Sequence, residues 1–245
     1  MAHEGKTLDS FYHGRIRCFQ PLKGYRFAFD APLLADFIQT RESDLLLEWG
    51  AGNGIISLLL SIKPFRHITA VEIQANLAGL ARENVAFNHL QDRITIVEAD
   101  LRRFKPGNRF DVVFSNPPYF RKGEARLSES EEKSIAKHEL KCGISDIMRK
   151  TSEVLLPSGR AYFIFPVRRQ DEFLKAAEEY ALVQLTYREI RSREQDPPNL
   201  FLSRLALKEP KPETEPEILS PLVLYGPGGE YSAEAQEIFS GRSHG

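Results

Sequence analysis

Apolar residues in this chain fall into two alternating kinds of run. Short stretches rich in Leu, Ile, Val and Phe, with few breakers, read as buried strands at residues 44–49, 67–73, 94–97, 110–115, 160–165, 182–188 and 200–207. Between them lie longer stretches whose apolar residues recur every three or four positions. These predict helices at 55–62, 75–88, 143–156 and 169–180. In the second of these, Leu77, Leu80, Ala81, Val85 and Phe87 share one face. In the third, Ile144, Ile147, Met148, Val154 and Leu155 do, and Pro157-Ser-Gly159 stops the helix.

Strands alternating with helices predict an α/β fold: a mostly parallel sheet with helices on both faces. The last two strands are joined by Asp196-Pro-Pro-Asn199 rather than a helix, so they are expected to pair antiparallel at the sheet edge. The prediction is a seven-stranded, mostly parallel sheet with an antiparallel edge strand. A Pro/Glu-rich stretch at 208–217 reads as a linker or extended arm. Three segments follow: an arm or cap at 1–40, the main domain at 41–208, and an extended acidic tail at 209–245.

The 245 residues, 42% of them hydrophobic, are enough for one large domain. Cys18 and Cys142 lack the paired spacing of a zinc site and are expected as reduced thiols. No metal is expected. No run approaches the roughly 20 apolar residues of a membrane span, and residues 1–10 have no signal-like apolar core. The expected location is cytoplasmic, with no membrane and no obligate protein partner. A net charge of −1 excludes a chain that is basic overall. Lys/Arg still cluster at Arg15, Arg17, Lys23 and Arg26, and again at Arg188, Arg191 and Arg193. Each cluster can hold a phosphate backbone, although a mixed solvated surface has the same composition.

Chemistry concentrates where strands end. Glu48-Trp-Gly-Ala-Gly-Asn-Gly54 follows the first strand of the main domain. Gly50, Gly52 and Gly54 allow a sharp turn that a ligand can approach closely. The spacing is tighter than the dinucleotide fingerprint, which seats a pyrophosphate. It suits an amino-acid-bearing nucleoside, with Glu48 positioned for its ammonium group. Glu72 ends the next strand and can accept bonds from ribose hydroxyls. Asp100 follows the third and can accept from an adenine amino group. Ile73 and Leu101, beside them, complete the expected ligand wall.

Asn116-Pro-Pro-Tyr119 ends the fourth strand. An exocyclic amino nitrogen is a poor nucleophile because its lone pair is delocalised into the ring. Two acceptors, the Asn116 side-chain oxygen and the Pro117 carbonyl, can bind its hydrogens and favour the pyramidal form. Pro117-Pro118 makes a stiff corner, and Tyr119 offers a ring for stacking on a base. Such a site works by orientation and electrostatics, without a metal.

Together, Glu48-x-Gly-x-Gly-x-Gly54, Glu72, Asp100 and Asn116-Pro-Pro-Tyr119 resemble the amino-methyltransferases of the adenine-N6 type. Tyr25-Arg-Phe-Ala-Phe-Asp-Ala-Pro-Leu-Leu-Ala35 is similar to the segment these enzymes fold over the methyl donor. Leu222-Val-Leu-Tyr225 and Gly229-Glu-Tyr-Ser-Ala-Glu234 resemble the closing segment of the bacterial family that methylates adenine N6 in valine tRNA. The resemblance implies a Rossmann-like fold and S-adenosyl-L-methionine as donor, with S-adenosyl-L-homocysteine as product. It also implies Asp30 near the donor, Asn116, Pro117, Pro118 and Tyr119 at the target amine, and RNA, most readily tRNA, as substrate. Trp49 and Pro32 depart from the usual pattern.

Two other readings stay open. Enzymes that methylate a glutamine side chain on release factors share the Asn-Pro-Pro-Tyr, but they carry an N-terminal helical domain for which about 40 residues are too few. A donor-binding module that has lost catalysis would not need Asn116. A nicotinamide dehydrogenase fits neither the glycine spacing nor Asn116-Pro-Pro-Tyr119. With no separate target domain in sight, substrate contacts are expected from the 123–141 loop, the N-terminal arm and the late basic cluster.

Overall fold

The computed structural model describes residues 5–22, 29–117, 143–208 and 215–242. Its centre is a sheet built from β3 (Leu45–Trp49), β4 (His67–Glu72), β5 (Ile94–Glu98), β6 (Phe110–Ser115), β7 (Leu155–Pro166), β8 (Leu182–Arg191) and β9 (Leu200–Leu207). Their spatial order is β8-β9-β7-β6-β3-β4-β5. All neighbours are parallel except β9, which runs against both β7 and β8.

The last two strands pair antiparallel at one end of the seven-strand order, as expected. The reversed strand lies inside the sheet, and β8 is beyond it. A crossover from β7 through α5 (Gln170–Glu179) sets β8 parallel to β7 but one position away. The chain then doubles back after β8, and β9 fills the gap. Two two-residue strands, β10 (Glu217–Ile218) and β11 (Leu222–Val223), extend the sheet by pairing with the outer side of β8.

The strand expected at 160–165 begins earlier, at Leu155, directly after α4 (Ile144–Val154). Phe110 pairs with Leu155 but Val112 with Arg160, so Pro157-Ser-Gly159 forms a bulge in β7 rather than a stop before it.

Each sheet face buries its own apolar cluster. One is covered by α4 and α5 and contains Trp49, Phe163, Phe173 and Phe201, all fully buried. Trp49 is large for its position, but its indole Nε1 donates to Thr151 Oγ1 at 3.2 Å and its ring meets Phe104 edge-on. The other cluster is covered by α1 (Asp30–Phe37), α2 (Ile55–Leu60), α3 (Ala75–Phe87), α6 (Ala233–Ser240) and a hairpin. Pro32 sits in the first turn of α1, where its missing N–H has no helical acceptor to lose.

The hairpin is β1 (Lys6–Phe11) and β2 (Ile16–Pro21), turned by Tyr12-His13-Gly14. The sequence predicts an arm here. Its Ile16, Cys18 and Phe19 are buried, and β2 packs against α2 and α3. Asn84 on α3 and Asn88 at its C-cap clasp the hairpin backbone. Asn84 Oδ1 accepts from Phe19 N at 2.7 Å, and Asn88 Oδ1 from Arg17 N at 3.0 Å.

The C-terminal segment, expected as an extended tail, instead returns to the body. Ser232 caps α6 by accepting from Ala235 N at 3.1 Å, and Ala235 and Ile238 are buried. Apolar residues at 235, 238 and 239 carried this signal, which the acidic composition masked. Residues 209–214 of the Pro/Glu-rich stretch lie outside the described residues.

Candidate active site

The carboxyl ends of β3, β4, β5 and β6 lie side by side, so the residues that follow them form one rim. Ligands in open α/β sheets bind at this edge. Gly50, Gly52 and Gly54 have φ of 70°, 56° and 83°, the left-handed region in which a side chain is strained. A Cβ on Gly54 would also lie 3.3 Å from Ala81 Cβ, so the turn and α3 are in close contact.

Two buried acids hold this turn. Glu72 accepts from Gly52 N and Gln74 N, each at 2.8 Å, and so ties the glycine turn to the end of β4. Glu48 is 1% exposed, and its carboxyl accepts a short bond from the Ser57 hydroxyl. Burial pushes the Glu48 carboxyl up to about 8, Ser57 pulls it back, and the nearby Glu72 adds to the rise. Burial raises Glu72 as well, against the pull of its backbone N–H donors. Among the described residues no basic side chain pairs with either acid. Two buried carboxyls without a cation are costly. The donor set fits a cationic ligand.

Ile73, beside Glu72, is 37% exposed, an apolar side chain open at the rim. Leu101 is half-buried. Asp100 is engaged by Arg102, whose Nε donates to Oδ1 at 2.9 Å, and this guanidinium holds the Asp100 carboxyl below the ordinary range. Asp100 is thus a charged acceptor already sharing its oxygens.

Asn116 is half-buried and Pro117 buried at the end of β6. The preceding Ser115 hydroxyl donates to the Trp49 carbonyl at 2.8 Å, fastening the start of this motif to the residue before Gly50. The sequence pattern does not single out Ser57 or Ser115. Their signal is position only: one serine in the helix after the turn, and one at the last residue of a strand. Pro118 and Tyr119 lie outside the described residues, as do Lys23, Arg26 and the 123–141 loop.

Asp30 opens α1. The other end of that helix is capped by the buried Lys63 ammonium, which donates to the carbonyls of Ala35, Asp36 and Ile38 at 2.6–2.7 Å. Lys63 follows α2 at the amino side of the sheet, so α1 begins at the carboxyl side, where the rim is.

The basic residues are treated unequally. Arg15 and Arg17 are exposed on the hairpin, and the Arg17 guanidinium lies over the Phe87 ring, 4.5 Å from its centre. Arg188 is spent on the C-terminal segment, where its Nη2 bonds both oxygens of Glu234 at 2.7 and 2.9 Å. Arg191 pairs with Glu189 at 2.6 Å. Among the described residues the Arg193 guanidinium has no partner.

The fold is that of the Rossmann-like methyltransferases, and residues 27–141 match the family model for the methyltransferase small domain. Solved structures share the fold. A predicted O-methyltransferase from Agrobacterium tumefaciens superposes with a TM-score of 0.63 at 19% identity, covering 86% of this chain and 96% of that one. A tRNA m1G37 methyltransferase from M. jannaschii gives 0.56 at 15%, covering 84% and 57%. By sequence, the chain is similar to the tRNA1(Val) (adenine(37)-N6)-methyltransferase of Aliivibrio fischeri, 29% identical over 204 residues, 82% of this chain and 83% of the relative. The Aeromonas hydrophila enzyme of that name is 27% identical over 205 residues, 83% and 84%. The one from Dyadobacter fermentans is 32% identical over 149 residues, 60% and 61%.

Proposed function

We propose that this enzyme moves a methyl group from S-adenosylmethionine to the exocyclic N6 of an adenine in RNA, with tRNA as the substrate. The observation that carries this reading is the junction of two half-sites. Asn116 and Pro117 follow Ser115, whose hydroxyl is bonded to the carbonyl that opens the glycine turn. Amine acceptors and donor pocket are thus held in fixed register. The relatives that match over most of the chain carry the adenine-N6 name, which supports the choice of nucleophile.

In this reading the glycine turn lies along the donor. Glu48 faces its ammonium group, Glu72 its ribose, Ile73 and Leu101 the flanks of its base, and Asp100 the adenine amino group. Asp30 closes over it from α1. The donor, when bound, supplies a sulfonium-activated methyl group. The Asn116 side-chain oxygen and the Pro117 carbonyl accept from the target amine, aim its lone pair and stabilise the charge that develops on nitrogen. Pro118 and Tyr119 shape the base side of the pocket. A stacked base cannot reach such a rim, so the adenine must be unpaired or flipped out. Arg15, Arg17, Lys23, Arg26, Arg191 and Arg193 hold phosphates, while Arg188 contributes less because Glu234 already takes its charge. The organisation proposed is a hairpin and cap up to residue 40, the catalytic domain to 208, and a C-terminal segment that closes back on β8.

The test is transfer of labelled methyl from S-adenosylmethionine to purified tRNA, rRNA, DNA and protein fractions, followed by nucleoside and amino-acid analysis. N6-methyladenosine in tRNA is expected. Label found only on a protein glutamine overturns the reading.

A further inference from the structure

Four aromatic rings that the proposed chemistry does not use meet at one corner of the rim. Tyr225 and Tyr231 stack, with ring centres 5.2 Å apart and planes 18° from parallel. Tyr231 meets Phe239 at 4.8 Å and Phe29 at 6.3 Å, the latter edge-on. Phe29 also approaches Phe239 at 6.0 Å. A cluster of this kind is normally closed over by its surroundings. Here Phe29 is 51% exposed, and Tyr225 and Tyr231 are only partly covered.

The backbone fixes where this corner lies. β11 pairs with the last residues of β8, Leu222 with Ile190 and Val223 with Arg191. Leu224 N then donates to Arg191 O and Tyr225 N to Ser192 O, each at 2.9 Å. Tyr225 is therefore bonded to the residue between Arg191 and Arg193. Phe29 immediately precedes Asp30 at the rim end of α1. The rings thus run from the backbone beside Arg193 to the start of the segment beside the donor site.

One neighbouring acid is already engaged. Glu234 is paired with Arg188. The Glu230 carboxyl folds over the Gly226–Gly228 turn, into space that a side chain at either glycine would need. Exposed aromatic faces and an exposed Arg193 thus lie on neighbouring backbone, the kind of surface that binds unpaired nucleic acid through stacked bases and phosphate contacts.

We infer that Phe29, Tyr225 and Tyr231 form a stacking ledge for an unpaired base flanking the target adenine, with Arg193 holding the adjoining phosphate. This rests on RNA being the substrate. Stacking on an aromatic ring tolerates any base, so the ledge selects an open loop over a duplex rather than a sequence. It helps to hold the RNA strand splayed while the target base enters the pocket.

The test uses the full chain. Binding of bulk tRNA, a short single-stranded RNA and a duplex of the same length is followed by fluorescence anisotropy, and S-adenosylhomocysteine binding by calorimetry. Phe29→Ala and Tyr225→Ala should each weaken single-stranded RNA and tRNA on the order of tenfold and raise KM for tRNA. Duplex binding and S-adenosylhomocysteine affinity should not change. Tyr225→Phe, which keeps the ring, should behave as wild type. Arg193→Gln should lower the slope of log affinity against log salt by about one. Thermal unfolding checks each variant, and Phe29→Ala, at an exposed position, keeps the test decisive if a tyrosine variant fails to fold. RNA affinity unchanged in Phe29→Ala and Tyr225→Ala overturns the ledge, as does a loss confined to S-adenosylhomocysteine. A wild-type protein that methylates protein and no RNA fraction overturns instead the reading on which the ledge rests.

Discussion

Replacing Glu48 by Gln separates the charge of this buried acid from its shape. In the free protein, burial lifts the Glu48 carboxyl from 4.5 to about 8. At pH 7 it is then mostly protonated. An arriving ammonium group reverses that preference, because an opposite charge at contact favours the carboxylate. Donor-site binding at pH 7 should therefore release a proton from Glu48, and release should fade as pH rises well above about 8. The same shift acts on stability. A carboxyl raised in the folded state contributes stability that is fully present below its unfolded value, about 4.5, and is lost as pH rises to about 8. At about 1.4 kcal/mol per pH unit the ceiling on that loss is roughly 5 kcal/mol. Without ligand, Glu48→Gln should be the more stable protein at pH 9 and close to wild type at pH 5. It should also bind S-adenosylhomocysteine weakly and without releasing a proton. The assay is calorimetric titration with S-adenosylhomocysteine at pH 7 in buffers of different ionisation enthalpy, with thermal unfolding across the pH range. Binding enthalpy independent of the buffer, or wild-type affinity in Glu48→Gln, would refute the reasoning.

Three other substitutions follow from the same geometry. Glu72→Ala removes the acceptor for Gly52 N and Gln74 N, bonds worth about 1.5–3 kcal/mol each when charge-assisted, so calorimetry should find S-adenosylhomocysteine affinity down by more than tenfold. Gly54→Ala puts a side chain at φ 83°, 3.3 Å from Ala81 Cβ, which costs roughly 1–2 kcal/mol and should lower the unfolding temperature by roughly 2–8 °C. Asn116→Ala should keep donor affinity while kcat falls on the order of 10²–10³; a variant within about threefold of wild type contradicts the role given to its oxygen.

The sheet was legible because its strands are short apolar runs and its helices keep their spacing; 110–115 was read to the residue. Strand order was less so. Nothing in residues 182–207 says that β9 slips inside β8, because that depends on the crossover preceding it. The hairpin escaped notice because its sequence mixes charge with apolar residues, and two asparagines far along the chain hold it. At the rim, Glu48, Glu72 and the glycines could be found because strand ends bring them together. Ser57 and Ser115 could not, since a serine acquires a role only from what it faces. Charge clusters misled most. Arg188 looks free in the sequence, and the fold brings it Glu234 from 46 residues away.

The measurement that bears most directly on the account is methyl transfer by the purified chain to a tRNA pool, with the modified nucleoside identified after digestion and the reaction repeated with Asn116→Ala. N6-methyladenosine is expected with the wild type, and a loss on the order of 10²–10³ in rate with the variant. Another methylated nucleoside, a labelled protein glutamine with unlabelled RNA, or a variant as active as the wild type would contradict it.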